Sequence, residues 1–168
     1  MTGNTMINAL CAYLRERVAK YIWLEKTREQ IDAPAERVHP AIYEGYIPPK
    51  NLLPDEFAVP SITVGIEGGT DNDNDSEITF RLTFAVFAYD GSYEDGEVID
   101  HMQGYTNLIH LLTETKAALA KDVQIGGAFA VKKPIVWKMY EEQPYPYWYA
   151  TMTFAADAYR NEYENRFL

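Results

Sequence analysis

The chain carries a single cysteine, Cys11, in 168 residues, so no internal disulfide and no cysteine-based metal cluster can be built from it. Such sparing use fits a reducing compartment. Long apolar runs are missing too, which excludes a membrane-spanning helix, and the opening MTGNTMINAL lacks the basic start and apolar block of a secretory leader. Histidine is limited to His39, His101 and His110. The last two lie nine residues apart on one expected helix, whereas a chelating pair needs three or four. No G-x-S-x-G, phosphate-binding glycine loop or H-E-x-x-H occurs. Positive charge is scarce, with 15 Lys and Arg against 25 Asp and Glu for a net charge of −10. The deficit concentrates between Glu67 and Asp100, where ten acidic residues meet one base, Arg81. Phosphate backbones are held by Lys and Arg, so this region excludes a DNA grip. It reads either as a solvated acidic surface or as one that repels polyanions or meets a basic partner.

What is present is core-forming material. The chain is 47% apolar and 14% aromatic, and its length suits one domain. Ile7, Cys11, Leu14, Val18 and Tyr21 recur at spacings of three and four, which predicts a helix over 5–31. Six of nine prolines then fall within 32–60, a segment expected to be an irregular loop without a long helix or central strand. Alternation over 60–67 and 77–89 predicts two antiparallel strands, with Ile78, Phe80, Leu82, Phe84 and Val86 on one face of the second. The connecting GGTDNDNDS is a turn, so the pair forms a hairpin. Helical spacing returns over 96–121, with acids before it that suit a helix start. Two further strands follow at 131–140 and 147–157. Pro134 marks the first as an edge or a bulge, and the second sets Trp148, Ala150, Met152 and Phe154 on one face. The expected fold is therefore α+β, a small antiparallel sheet of about four strands flanked by an N-terminal helix and a central helix, with a tail at 158–168.

Two stretches could carry chemistry. DNDND at 71–75 opens like a calcium loop, but Ser76 and Leu82 stand where an EF-hand needs Gly and Glu. A plain acidic turn is the simpler reading. EEQPYPYW at 141–148 packs Tyr145, Tyr147 and Trp148 behind Glu141, Glu142 and Gln143. Such side chains fill cores, anchor protein contacts, or stack on nucleic-acid bases, the last of which needs a basic groove that the local charge does not supply. Pro144 and Pro146 hold the connector extended.

GYIPPKNLLPDEFAVPSITVGI, DGSYEDGEVIDHMQGYTNLIHLL and WKMYEEQPYPYWYATMTF together resemble the tail terminator (tail completion) proteins of long-tailed phages and prophages, over roughly residues 40–156. The resemblance implies a virion structural protein with no catalysis and no cofactor. It implies a ring, six copies in the assembled tail, at the head-proximal end of the tube. There the ring ends tube polymerisation and offers a surface to the head–tail connector, with assembly in the host cytoplasm. Expected partners are further copies, the tube protein and the connector, with neither specific nucleic-acid binding nor a membrane. The expected contact residues are Glu141, Glu142, Gln143, Tyr145, Tyr147 and Trp148, and Asp71, Asp73 and Asp75 are a candidate lumen-facing loop. The rivals are a head-closure protein of the neck and a small ligand-binding domain or enzyme built around the aromatics and His101.

Overall fold

The computed structural model describes residues 3–45, 59–73, 75–89, 93–94, 97–98 and 102–158. The order is α1 (Gly3–Arg17), a 3-10 turn (Ala19–Tyr21), β1 (Leu24–Glu25), β2 (Arg37–Val38), β3 (Ala41–Glu44), β4 (Ser61–Asp71) and β5 (Ser76–Phe87). There follow β6 (Tyr93–Glu94), β7 (Glu97–Val98), α2 (Gln103–Lys121), β8 (Gln124–Ile125), β9 (Phe129–Met139) and β10 (Tyr147–Ala158). The protein is α+β. Its main sheet has six strands in the order β3-β4-β5-β10-β9-β8, and β1-β2 and β6-β7 are separate two-stranded pairs.

The expected sheet of about four strands is thus corrected to six. The four long strands are β4, β5, β9 and β10; β5 buries Phe80, Leu82 and Phe84 in alternation, whereas β4 is buried continuously from Ser61 to Gly65. β8 has two residues and β3 four, too few to leave an alternation in the sequence. β3 is also parallel to β4, so the sheet is not purely antiparallel. It lies in the proline-rich segment, where backbone bonds rather than side-chain pattern attach it: Ala41 N–H donates to Pro60 O at 2.9 Å and Gly45 N–H to Val64 O at 2.8 Å.

Both helices cover one face. Met6, Leu10, Cys11 and Leu14 of α1 and Leu108, Leu111, Leu112 and Leu119 of α2 share a core with Phe80, Leu82, Phe84 and Val86 of β5. Trp148, Ala150, Met152, Phe154 and Ala156 of β10 complete it. Each large side chain fully buried there contributes about 1.5–3 kcal/mol. Tyr13 ties the two helices, its hydroxyl donating to Ala118 O and Asp122 Oδ2, both at 2.9 Å. Burial, then that bond to Asp122, pushes its phenol well above the usual range.

Both helices are shorter than their periodicity predicts. α1 ends at Arg17 because packing overrides the stripe. Val18 leaves the helical region, Ile22 is extended, and Leu24 is buried while paired with Val38. Tyr21, expected on the buried stripe, is 69% exposed. Tyr93–Glu94 pairs with Glu97–Val98 as β6 and β7, and α2 begins only at Gln103, so its first turn holds no acid. Met102 and Tyr105 are exposed, and Gly104 and Thr115 take inward positions. Ile99, His101, residues 46–58 of the proline-rich loop and the tail beyond residue 158 lie outside the described residues. Pro134 sits where the β9–β10 register shifts, so it marks a bulge as expected.

Candidate functional site

The β9–β10 connector is built by a side chain acting as backbone. Gln143 accepts a hydrogen bond from Tyr149 N–H at 2.6 Å and donates to Tyr149 O at 3.0 Å and Tyr140 O at 3.1 Å. Its amide thus makes the two-bond exchange that a strand residue would make. Below this turn, Tyr140 N–H donates to Tyr149 O at 3.1 Å, and Ala88 N–H bonds Pro146 O at 3.0 Å. The loop is pinned to β5 as well as to its own hairpin.

The six residues expected as contacts divide. Glu141 and Glu142 are exposed, and Tyr145 is 53% exposed. Gln143 is half-buried and committed to the turn. Tyr147 is half-buried in a small cluster on the sheet face away from the helices, with Val59, Ala85, Phe87, Tyr89 and Tyr149. Its ring lies 5.5 Å from Phe87 and is stacked 6.4 Å from Tyr149. Trp148 points through the sheet the other way and is 7% exposed inside the main core. On the single chain it is closed to a partner, because the alternation that exposes Tyr147 buries its neighbour.

The aromatic cluster is braced from outside. Tyr89 lies 4.9 Å edge-on to Phe87, and its hydroxyl donates to Arg28 O at 2.9 Å. The Arg28 guanidinium stands 5.2 Å from the Tyr89 ring and donates to Glu25 Oε1 at 2.7 Å. Burial first, then Tyr147 and Tyr140, raises the Tyr149 phenol above its ordinary value. What faces outward is an anionic pair and a tyrosine on a rigid mount, a combination suited to docking.

The acidic hairpin tip is at the other end of the sheet. β10 pairs Tyr147 with Phe87 at one end and Asp157 with Glu77 at the other. Ten residue steps of about 3.3 Å put roughly 30 Å between the aromatic connector and the β4–β5 turn. There Asp71, Asp73 and Asp75 are exposed. Asn72 N–H donates to Asp75 O at 2.7 Å, and Ser76 Oγ donates to Asp71 Oδ1 at 2.6 Å. Among the described residues no group of three or more His, Cys, Asp or Glu is placed to hold a metal ion. Nor, among them, is any helix long and apolar enough to cross a membrane.

A third surface has no counterpart among the expected sites. Beyond Val131, whose N–H donates to Val123 O at 2.7 Å, β9 has no outer neighbour among the described residues. On that edge Val136 is 53% and Trp137 45% exposed, and Lys133 and Lys138 are exposed. A shallow groove beside it is lined by Ile109, Leu112, Thr113, Lys116 and Trp137, with Lys116 Nζ 6.0 Å from the Trp137 ring. The signal available in the sequence was Pro134, which marks an edge without saying which side chains the edge displays.

Comparison with models of protein families finds no match, and comparison with curated proteins finds none either.

Proposed function

We propose that this chain is a structural assembly protein that caps a phage tail tube as a ring, ending tube polymerisation and presenting a surface for head joining. The observation that carries the reading is the separation of two unlike surfaces on one stiff sheet. An aromatic, anion-rimmed connector stands at one end, and an acidic hairpin tip stands roughly 30 Å away at the other. A capping ring needs this polarity, because one face must match the last tube ring while the other must not recruit more tube. Glu141, Glu142 and Tyr145 make the contact, Tyr147 supports it from the half-buried cluster, and Gln143 and Trp148 hold the mount in place. The acidic tip at Asp71, Asp73 and Asp75 faces the path of DNA and keeps it from adhering by charge repulsion. The ring of six copies comes from the resemblance of the motifs at 45–66, 90–112 and 137–154 to tail terminators.

The test is electron microscopy of particles made without this gene. Overlong tubes or tails lacking heads are the expected outcome, and normal virions would refute capping.

A further inference from the structure

Acids outnumber bases in this chain, so an arginine without a carboxylate partner is informative. Arg15 donates from Nη2 to Ile42 O at 3.2 Å and Arg37 from Nη2 to Trp23 O at 2.8 Å. Both arginines are exposed, and neither forms an ion pair among the described residues. They frame an aromatic patch. Ile22 is extended and buried, so its neighbours Tyr21 and Trp23 both turn outward. The Trp23 ring lies 3.8 Å from that of His39, whose Nδ1 is 2.9 Å from Ile22 O. Exposed tryptophan, tyrosine and arginine together are the composition of a binding hot spot.

A surface of opposite charge lies at the same level of the sheet, on the other flank. β3 runs parallel to β4 with Ala41 beside Ser61, which places His39 level with Val59. Ser61 faces Ala85, so that level meets Phe87 on β5, and Phe87 faces Tyr147 on β10. The arginine–tryptophan patch and the β9–β10 connector therefore share one end of the sheet. Three strand spacings of about 4.8 Å, roughly 14 Å, separate β3 from β10. α1 packs over β3 and β4, whereas α2 packs over β5, β10 and β9, so the two surfaces belong to different halves of the molecule. On the connector, Glu141 and Glu142 are exposed and form no ion pair among the described residues, with Tyr145 exposed beside them.

We propose that copies of this chain join head to tail, the connector of one copy docking through Glu141, Glu142 and Tyr145 on the Arg15, Trp23 and Arg37 patch of the next. The inference rests on the contact role given above to the connector and adds that the surface it meets is a second copy. Sign selects the pairing. Patch on patch sets arginine against arginine, and connector on connector sets carboxylate against carboxylate, so only the unlike pair attracts. Level selects the geometry. Two surfaces at one height meet by rotation about an axis along the strands, with little rise per copy, and a heterologous contact without rise closes into a ring. The acidic tip at Asp71, Asp73 and Asp75 offers carboxylates too, but it stands roughly 30 Å along the strands from the patch. Docking there would step each copy along the axis and build an open filament. Joined at one level, the copies keep their acidic tips together at the far end, so the polarity of the sheet becomes that of the ring.

Complementation between two variants of the full chain tests it. Glu141→Ala with Glu142→Ala strips the connector, and Trp23→Ala with Arg37→Ala strips the patch. All four positions are exposed, so circular dichroism should match the parent. Each variant alone is expected to lose oligomers in sedimentation by about tenfold or more. Mixed in equal amounts, the two are expected to form a dimer and stop there, because a single intact contact remains between unlike copies. Oligomers undiminished by either pair of substitutions, or a mixture that stays monomeric, would overturn the pairing and leave the ring standing. Loss of oligomers on neutralising Asp71, Asp73 and Asp75, but not Glu141 and Glu142, would give the patch to the hairpin tip and overturn it as well. A parent chain that stays monomeric under glutaraldehyde at millimolar concentration would overturn both the pairing and the ring.

Discussion

Replacing Gly104 by alanine sets two effects of opposite sign against each other. Gly104 is the second residue of α2 and is buried. In a helix, glycine to alanine ordinarily stabilises by up to about 1 kcal/mol, since alanine loses less backbone freedom on folding. At this position an added Cβ would overlap three atoms of the Trp148 indole, Nε1 among them. Trp148 is 7% exposed and packed among core side chains, so the ring cannot swing aside without displacing them. Forcing a carbon into a filled core costs about 1–3 kcal/mol, and an overlap with a rigid ring belongs at the upper end. The net expectation is a loss of about 2 kcal/mol, or roughly 4–8 °C in Tm for a chain of this size. Urea denaturation followed by circular dichroism measures it. The reasoning also predicts a rescue. Trp148→Ala removes the whole indole, so adding Gly104→Ala to that background should cost less than about 0.5 kcal/mol, a coupling that a double-mutant cycle isolates. A Gly104→Ala protein as stable as the parent, or equal costs in both backgrounds, would show that the indole does not occupy this space.

Gln143→Ala removes three hydrogen bonds and leaves Tyr149 N–H unmatched in a half-buried site, so stability should fall by about 1–3 kcal/mol and the Tyr149 amide should exchange faster with deuterium. Unchanged exchange would mean the amide does not organise the connector. Burial, then Glu44, raises the Cys11 thiol from an ordinary 9.0 to about 11, with Arg15 opposing. The folded form therefore holds its proton more tightly than the unfolded form. That contribution is intact below pH 9 and is lost as pH rises from 9 towards 11, amounting to about 2–3 kcal/mol. Tm measured from pH 7 to 10.5 should fall less steeply for Cys11→Ala than for the parent, and parallel curves would refute the assignment. Reversing Asp71, Asp73 and Asp75 to lysine should leave the fold intact, because all three are exposed, yet impair DNA passage or particle assembly. Wild-type particle yield and infectivity would reduce the loop to a solvated turn.

The sheet was legible wherever a strand is long and wet on one side. Phe80, Leu82, Phe84 and Val86 are all fully buried on the face their alternation assigns them. Burial on both faces erases the signal. Ser61 and Thr63 look polar-outward, yet both are buried, so β4 reads as half-wet where it is covered twice. Strands of two to four residues such as β8 and β3 are held by their neighbours' backbone and leave no period to read. Helix ends failed for a related reason. Val18, Ile22 and Leu24 stay in the core after the helix stops, so a buried stripe outlasts the element that began it.

The candidate site divides along the same line. Composition groups Tyr145, Tyr147 and Trp148 as one cluster of anchors. The backbone assigns them to three environments: an exposed loop, the half-buried face away from the helices, and the core beneath α2. The strand's own alternation already held part of that answer, because Trp148 falls in step with Ala150, Met152 and Phe154. Residue chemistry says what a side chain would do if it reached a partner; parity along the strand decides whether it can. Gln143 lay beyond either argument. Its role depends on the backbone of Tyr149 lying within reach of a side-chain amide, a distance that exists only once β9 and β10 have paired. Polar residues beside a hairpin turn therefore need a hydrogen-bond account of the folded turn before they are counted as contacts.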